Sequence, residues 1–148
     1  MRLLDQRGIE YEARHYDPSI TSAEGVAAAL EIPAAEVFKT LVMMRDGGKP
    51  LLVMVPGDRE VRLRALAAGI GAKSVRMASK AEAERLTGLQ TGGIGALALV
   101  GKPFEVYIDE TALALDRILV NGGRRGLDLR LRPNDIMEVT GASPVAAT

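Results

Sequence analysis

The stretch VFKTLVMM, residues 37–44, decides the fold, because it has the composition and pattern of a buried β-strand. Side chains alternate along a strand, so the odd-numbered residues face one way and the even-numbered residues the other. Both faces are apolar except at Lys39 and Thr40. A lysine there must reach water, pair with an acid or line a polar pocket. From the strand pattern alone, a functional role for Lys39 and a structural one, in which its side chain only extends to solvent, are equally favoured.

Turn signals on both sides of this strand indicate hairpins separated by helices. Asp46-Gly47-Gly48 predicts a tight turn to a returning strand at 51–55. Asn121-Gly122-Gly123 predicts a second turn, between strands at 117–120 and 127–131. Further strands are expected at 9–16, 75–77 and 104–108. This order favours a mixed α+β arrangement over a regular parallel series.

Helix signals fill the segments between the predicted strands. Thr21-Ser22-Ala23-Glu24 fits a capping box before a helix at 24–30, and Ser79 with Glu82 fits a second one. The other helices are expected at 1–7, at 61–68 with Gly69 as the end, at 111–115 and from Pro133 onward. Residues from Gly141 onward have the composition of a frayed tail.

Length and composition bound the class of protein. A chain of 148 residues is expected to form one domain over residues 1–148. It has no Cys and one His, which argues against a thiolate or His-rich metal site, and we expect no cofactor. The formal net charge of zero argues against a tight autonomous nucleic-acid binder but leaves a weak one open. No apolar run is long enough for a membrane span or a signal peptide, so we expect a soluble cytoplasmic protein.

A glycine-rich loop, TGLQTGGIGA at residues 87–96, is the first candidate for chemistry. Its glycines let the backbone approach a ligand and aim N–H groups at it, as an oxyanion- or carbonyl-binding loop does. The loop lacks both nucleotide-binding fingerprints, GxGxxG and a following Lys-Ser/Thr. On pattern alone, a plain connection is the favoured interpretation.

Asp128 is the second candidate. Leu127, Leu129 and Leu131 share one strand face and are predicted to be core, which places Asp128 and Arg130 on the other face. A surface ion pair between those two is the default. If that face lines a cleft, Asp128 orients a substrate amine or pairs with Lys39. No Ser-x-x-Lys, G-x-S-x-G or metal cluster accompanies it.

Taken together, the motifs resemble those of the YbaK/EbsC family. The ordered set is FKTLV at 38–42, TG at 87–88 followed by GGI at 92–94, ID at 108–109 and GGRRGLDL at 122–129. This family includes free-standing aminoacyl-tRNA deacylases and the editing domain of bacterial prolyl-tRNA synthetases. The resemblance covers about residues 11–139. It implies a mixed, partly barrel-like sheet flanked by short helices.

The resemblance also implies roles for individual residues. Lys39 is expected to hold the 3′-terminal adenosine of the tRNA near the ester, Gly92 to fix the substrate carbonyl, and Asp128 to lie near the aminoacyl group. The residues implied to bind substrate are Tyr16, Ser22, Thr40, Gly93, Ile94, Gly122, Gly123 and Arg124. The implied partners are aminoacyl-tRNA, above all proline tRNA, and prolyl-tRNA synthetase. In the cysteine-specific branch the substrate's own thiol attacks its own carbonyl.

The sequence departs from the family pattern in three places. Gly95 and Ala96 replace a small polar residue and a proline in the glycine loop, Thr21-Ser22-Ala23 replaces an aromatic neighbourhood, and Asn121 stands where Ser or Ala is usual. The first two departures bear on the choice between cysteine and alanine. From the resemblance, the prediction is an editing deacylase acting on Cys-tRNA(Pro), with Ala-tRNA(Pro) as the alternative. A non-catalytic module that binds an aminoacyl-tRNA or a synthetase, and an unrelated small-molecule binder, stay open.

Overall fold

The computed structural model describes all 148 residues. Its α-helices are α1 (Arg2–Gln6), α2 (Ala23–Leu30), α3 (Leu63–Ile70), α4 (Lys80–Thr87) and α5 (Pro133–Thr140). Its strands are β1 (Glu12–His15), β2 (Phe38–Arg45), β3 (Pro50–Pro56), β4 (Val75–Met77), β5 (Glu105–Asp109), β6 (Ile118–Asn121), β7 (Leu127–Leu131) and β8 (Ser143–Val145). Short 3-10 turns occupy Ala34–Glu36, Ala96–Leu99 and Glu110–Ala114. No helix is long and apolar enough to cross a membrane.

The strands form two sheets. The larger has the order β4-β2-β3-β5-β8 and the smaller β1-β7-β6. Both predicted hairpins are present: β2 pairs antiparallel with β3, and β6 with β7. A single parallel bridge between Val37 and Leu119 joins the two sheets at the start of β2. The α+β prediction is confirmed, and the sheets do not close into a barrel.

Strand β2 is buried on both faces, as its composition predicts. Phe38 and Val42 belong to the main core between the two sheets, which also contains Ile118 and Leu129. Met43 faces the opposite way, toward a second core against α3. A third, small cluster packs α2 against the bridge between the sheets. Because β2 contacts every layer, its open edge is held in a fixed position.

Local signals set most element boundaries. The capping box at Ser79 and Glu82 is confirmed, with both reciprocal hydrogen bonds present. The capping box predicted from Thr21 to Glu24 is wrong: Ser22 is the N-cap, its side chain accepts from Gly25 N–H, and α2 starts at Ala23. A glycine three residues after the cap has no side chain with which to complete a box.

Two predictions need correction: the end of helix α3 and the structure of the C-terminal segment. Gly69 lies inside α3, and the helix ends instead at Gly71, which has φ +73°. Gly69 is required by packing, because a Cβ there would collide with Cγ2 of Val145. The segment after Gly141 is not a frayed tail: β8 pairs parallel with β5, and Ala147 is fully buried. The buried carboxylate of Asp109 accepts the N–H groups of Ala147 and Thr148.

Candidate active site

The candidate site is a cavity of about 370 Å³ along the edge of β2. That volume is in the range of small-molecule sites, roughly 300–1,000 Å³. Its walls come from β2, the first turns of α2 and α4, the glycine loop and the ends of β6 and β7. A second hollow of about 410 Å³ lies beside α3 and contains none of the predicted site residues.

The cavity exists because β2 lacks a neighbour over half of its outer edge. Strand β4 pairs only with Met43, Met44 and Arg45. Hydrogen bonds from Gly57 N–H to the Val37 carbonyl and from Arg45 N–H to the Lys49 carbonyl show that odd-numbered residues bond to β3. The same alternation leaves the backbone N–H and C=O of Thr40 facing the cavity with no strand partner. This edge offers a donor and an acceptor to a ligand.

Lys39 lines the cavity and is half-buried. It forms no ion pair with a carboxylate and no hydrogen bond with another side chain. The predicted alternative of a Lys39–Asp128 pair is therefore not formed, although both residues line the same cavity. An ammonium group without a protein partner is available to an anionic or polar ligand.

Asp128 is buried and lines the cavity from β7. The Tyr16 hydroxyl donates a hydrogen bond to its Oδ1 at 2.9 Å. Burial raises the pKa of Asp128 to about 6, and the hydrogen bond from Tyr16 opposes that rise. Burial, followed by the nearby Asp128 charge, raises the pKa of Tyr16. The surface pair with Arg130 is absent, since Arg130 lies 3.7 Å from Glu36 instead.

The glycine loop passes the cavity at Gly92 with φ +87°. A Cβ at this position would lie 2.8 Å from Cγ2 of Thr21, so the residue must be glycine for both backbone and contact reasons. The Gly92 N–H has no acceptor within the protein. The loop therefore places a free backbone donor at the wall of the cavity, the arrangement that stabilises a developing oxyanion.

Apolar side chains make up about half of the lining, and Thr21, Glu24, Lys80, Thr91 and Asn121 add further polar side chains. The apolar residues are Val26, Val37, Phe38, Leu41, Val42, Met77 and Ile94, with the small residues Ala23, Ala78 and Ala83. Together with Lys39, Asp128 and Gly92 N–H, they suit a small ligand that carries one cationic group and one carbonyl.

The structure brings most of the predicted site residues together. Those that line the cavity are Tyr16, Ser22, Lys39, Thr40, Gly92, Ile94 and Asp128. Gly93, Gly122, Gly123 and Arg124 do not line it. Gly93 packs against the β6–β7 hairpin instead, where a Cβ on Gly93 would lie 3.0 Å from Cα of Arg124, and Gly123 packs against Ala98. Substrate binding by these four residues stays a prediction.

Sequence reasoning missed the side chains that hold the loop. Asn121 lines the cavity and donates from Nδ2 to the carbonyl of Gly92 at 3.0 Å. Arg125 donates from Nε to the carbonyl of Thr91 at 2.7 Å, and Glu84 accepts from Thr91 N–H at 2.8 Å. The departure from the family pattern at Asn121 was a usable signal. Arg125 and Glu84 had none, because nothing local links them to the loop.

Comparison with known proteins identifies relatives of this chain by sequence and by fold. The family model for the aminoacyl-tRNA editing domain matches residues 17–139. A proposed Cys-tRNA(Pro)/Cys-tRNA(Cys) deacylase, EbsC, from Enterococcus faecalis is 32% identical over 142 residues, which cover 95% of this chain and 86% of that protein. Proline–tRNA ligase from Sulfurihydrogenibium sp. is 34% identical over 110 residues, which cover 74% of this chain and 19% of the ligase.

The fold has a solved counterpart. The crystal structure of a proposed trans-editing enzyme for prolyl-tRNA synthetase superposes with a TM-score of 0.84 at 24% identity, covering 99% of this chain and 92% of that one. At this identity the superposition shows only that the two folds are alike. Family membership is shown by the sequence matches to the family model and to the Enterococcus relative. The chain is therefore a member of the aminoacyl-tRNA editing domain family, as its motifs predict.

Proposed function

We propose that this protein is a trans-editing deacylase that removes a mischarged amino acid from tRNA. The observation that carries the proposal is the convergence of Lys39, Asp128 and the free Gly92 N–H on one cavity of about 370 Å³. An aminoacyl ester has an α-ammonium group, a carbonyl and a nearby ribose with its phosphate. The three groups of the cavity complement these features.

Each group has one role in the proposed complex. The ionised carboxylate of Asp128, oriented by Tyr16, holds the α-ammonium group. The Gly92 N–H donates to the ester carbonyl and stabilises the oxyanion that forms on it. Lys39 holds the 3′-terminal adenosine of the tRNA, so that the ester lies against the loop. Catalysis comes from positioning and carbonyl polarisation rather than from a protein nucleophile.

Two routes of ester cleavage fit this site. Water adds to the carbonyl carbon, the ester C–O bond breaks, and the ribose oxygen leaves with a proton, which gives the free amino acid. Alternatively, the thiol of an esterified cysteine forms a C–S bond to its own carbonyl carbon, the ester C–O bond breaks, and the thiol proton passes to the leaving ribose oxygen, which gives a thiolactone. The first route is a hydrolase reaction, and the second is of the lyase type.

The proposed substrate is Cys-tRNA(Pro), with Ala-tRNA(Pro) as the alternative. The Enterococcus relative is itself a proposed Cys-tRNA(Pro)/Cys-tRNA(Cys) deacylase, which supports Cys-tRNA(Pro). The apolar side chains of Ala78, Ala83 and Ile94 in the lining suit the methyl group of alanine, which supports the alternative, Ala-tRNA(Pro). We further propose that the protein acts in the cytoplasm, where tRNA is charged, and in association with prolyl-tRNA synthetase.

A time course of deacylation on proline tRNA charged with Cys, Ala or Pro tests the proposal. We expect loss of Cys, Ala or both at a rate well above spontaneous hydrolysis, with Pro spared. Chromatography of the released product separates thiolactone from free amino acid. If the wild-type protein releases none of the three, it is not an editing enzyme for proline tRNA. Binding to charged but not uncharged tRNA would then identify the non-catalytic module.

A further inference from the structure

The middle of the glycine loop, from Gln90 to Gly93, is held at most of its backbone polar atoms. The three peptide groups between Gln90 and Gly93 carry six backbone polar atoms, of which five have protein partners. Gly93 N–H donates to the Gln90 carbonyl at 2.7 Å. The side chains described above hold Thr91 N–H, the Thr91 carbonyl and the Gly92 carbonyl. Of these six atoms, only the N–H of Gly92, at the cavity wall, has no partner.

Planarity of the peptide group ties this free donor to Arg125. The chain has no cis peptide bond, so the Thr91 carbonyl and the Gly92 N–H point in opposite directions within one rigid plane. The Nε atom of Arg125 holds that carbonyl at 2.7 Å through a charge-assisted hydrogen bond. Fixing the carbonyl on one side of the plane therefore fixes the direction of the N–H on the other side.

The neighbouring contacts remove the remaining freedom. The carboxylate of Glu84, from α4, accepts the Thr91 N–H, and the side-chain amide of Asn121 donates to the Gly92 carbonyl. Asn121 Oδ1 in turn accepts from Gly123 N–H, which anchors the amide to the β6–β7 hairpin. The loop is thus clamped between a helix and a hairpin, although Ala96 lacks the restricted backbone of a proline.

We propose that Arg125 is a positioning residue that, with Glu84 and Asn121, aims the Gly92 N–H into the cavity. This inference rests on the proposed function for its catalytic consequence. The geometry of the loop itself does not depend on the substrate. A side chain on the outer surface of the hairpin then controls catalysis without touching the substrate.

Kinetics on charged proline tRNA separate this role from a phosphate contact. For Arg125→Ala we expect kcat to fall about tenfold or more with KM changed by less than about twofold, since a donor used in the transition state is misdirected. Arg125→Lys keeps the charge but has a methylene in place of Nε, so kcat stays low. Arg124→Ala removes the same charge from the same hairpin, and we expect it to alter KM alone. A change in KM and salt dependence without a change in kcat for Arg125→Ala would overturn the proposal.

The amide resonance of Gly92 in a ¹⁵N-labelled full chain gives a readout that needs no activity. We expect Arg125→Ala and Arg125→Lys to shift this resonance and to raise the exchange rate of neighbouring loop amides, while Arg124→Ala leaves both unchanged. Unaltered Gly92 and loop resonances in both Arg125 variants would overturn the clamp, whether or not the wild type deacylates tRNA. Absence of deacylation by the wild type, with the resonance shifts present, would count against the proposed function and leave the clamp standing.

Discussion

At the scale of single residues, the carboxyl group of Asp128 links the site to the stability of the fold. It is buried beside the Tyr16 hydroxyl, and its pKa rises from 3.8 to about 6 because burial disfavours the charged form. The folded protein therefore binds this proton more tightly than the unfolded chain. The resulting stabilisation is fully present below about pH 4 and is lost as the pH rises through about 6.

We predict that Asp128→Asn removes this pH dependence. For the wild type, the contribution of Asp128 to the free energy of unfolding should fall by on the order of 1–3 kcal/mol between pH 4.5 and 7.5. Urea unfolding of both proteins across that range measures the difference curve. Parallel curves for the two proteins would show that Asp128 titrates alike in the folded and unfolded states.

Ionisation of Asp128 should also affect activity. The rate of deacylation by the wild type should increase as the pH rises through about 6.

Gly92→Ala tests the backbone requirement of the loop. Its φ of +87° and the close approach of Thr21 predict a loss of about 1–3 kcal/mol in the free energy of unfolding, with loss of deacylation. Gly88→Ala is the matched control: Gly88 also has positive φ, +72°, but a Cβ there meets nothing within 4 Å. The control should show the backbone strain alone and remain active. Equal stability and activity of the two variants would contradict the account.

The sequence shows some of these residue properties and conceals others. An apolar strand with one central lysine is visible in the chain, and Lys39 does line the cavity. The burial of Asp128 was left open, because an alternating strand does not show whether its polar face meets water or another layer. That face is covered by Tyr16, which lies 112 residues away in the chain.

At the scale of elements, helix α3 packs against β8 through Gly69. In an exposed helix interior, Gly→Ala stabilises by roughly 1 kcal/mol. Here the added Cβ would collide with Val145, so we predict that Gly69→Ala destabilises the protein by about 1–3 kcal/mol. Thermal or urea unfolding measures the sign directly.

A double-mutant cycle identifies the contact responsible. Shortening Val145 removes the colliding atom, so Gly69→Ala should cost less in a Val145→Ala background than in the wild type. A stabilising effect of Gly69→Ala in the wild type would show that β8 does not pack against α3.

The two corrected boundaries have a common physical cause. Gly69 resembles a helix terminator, and the residues after Gly141 resemble a tail, because both were judged from local composition alone. In the structure, β8 packs against Gly69 of α3, which is why that residue is glycine. The same packing, together with the hydrogen bond from Ala147 N–H to Asp109, orders the C-terminal segment. Both hairpins, the capping box at Ser79 and strand β2 were predictable because their signals lie within a few residues of one another.

At the scale of the whole molecule, charge limits the affinity for tRNA. The formal net charge is zero, and only two lysines, Lys39 and Lys80, line the cavity. Two contacts to single-stranded phosphates predict roughly a sevenfold loss of affinity between 50 and 200 mM salt. Fluorescence anisotropy with labelled proline tRNA measures this slope. A tight complex whose affinity falls a thousandfold over that range would require a much larger basic surface.

The arrangement of layers explains how one cavity combines residues from across the chain. Strand β2 lies between β4 and β3 in the larger sheet, and the bridge at Val37 brings the β6–β7 hairpin to its open edge. Lys39, Gly92 and Asp128 then meet although they come from a strand, a loop and the other sheet. The ordered motifs implied this convergence through family resemblance, whereas hydrophobic periodicity alone did not.

The most direct test of the central claim is single-turnover deacylation of Cys-tRNA(Pro) and Ala-tRNA(Pro) by wild type and Lys39→Ala. Lys102→Ala is the control, since Lys102 is exposed and lies outside the cavity. We predict that Lys39→Ala loses about a hundredfold or more in rate while unfolding at the wild-type denaturant concentration. Lys102→Ala should match the wild type. Wild-type rates for Lys39→Ala would contradict the assignment of this cavity as the editing site.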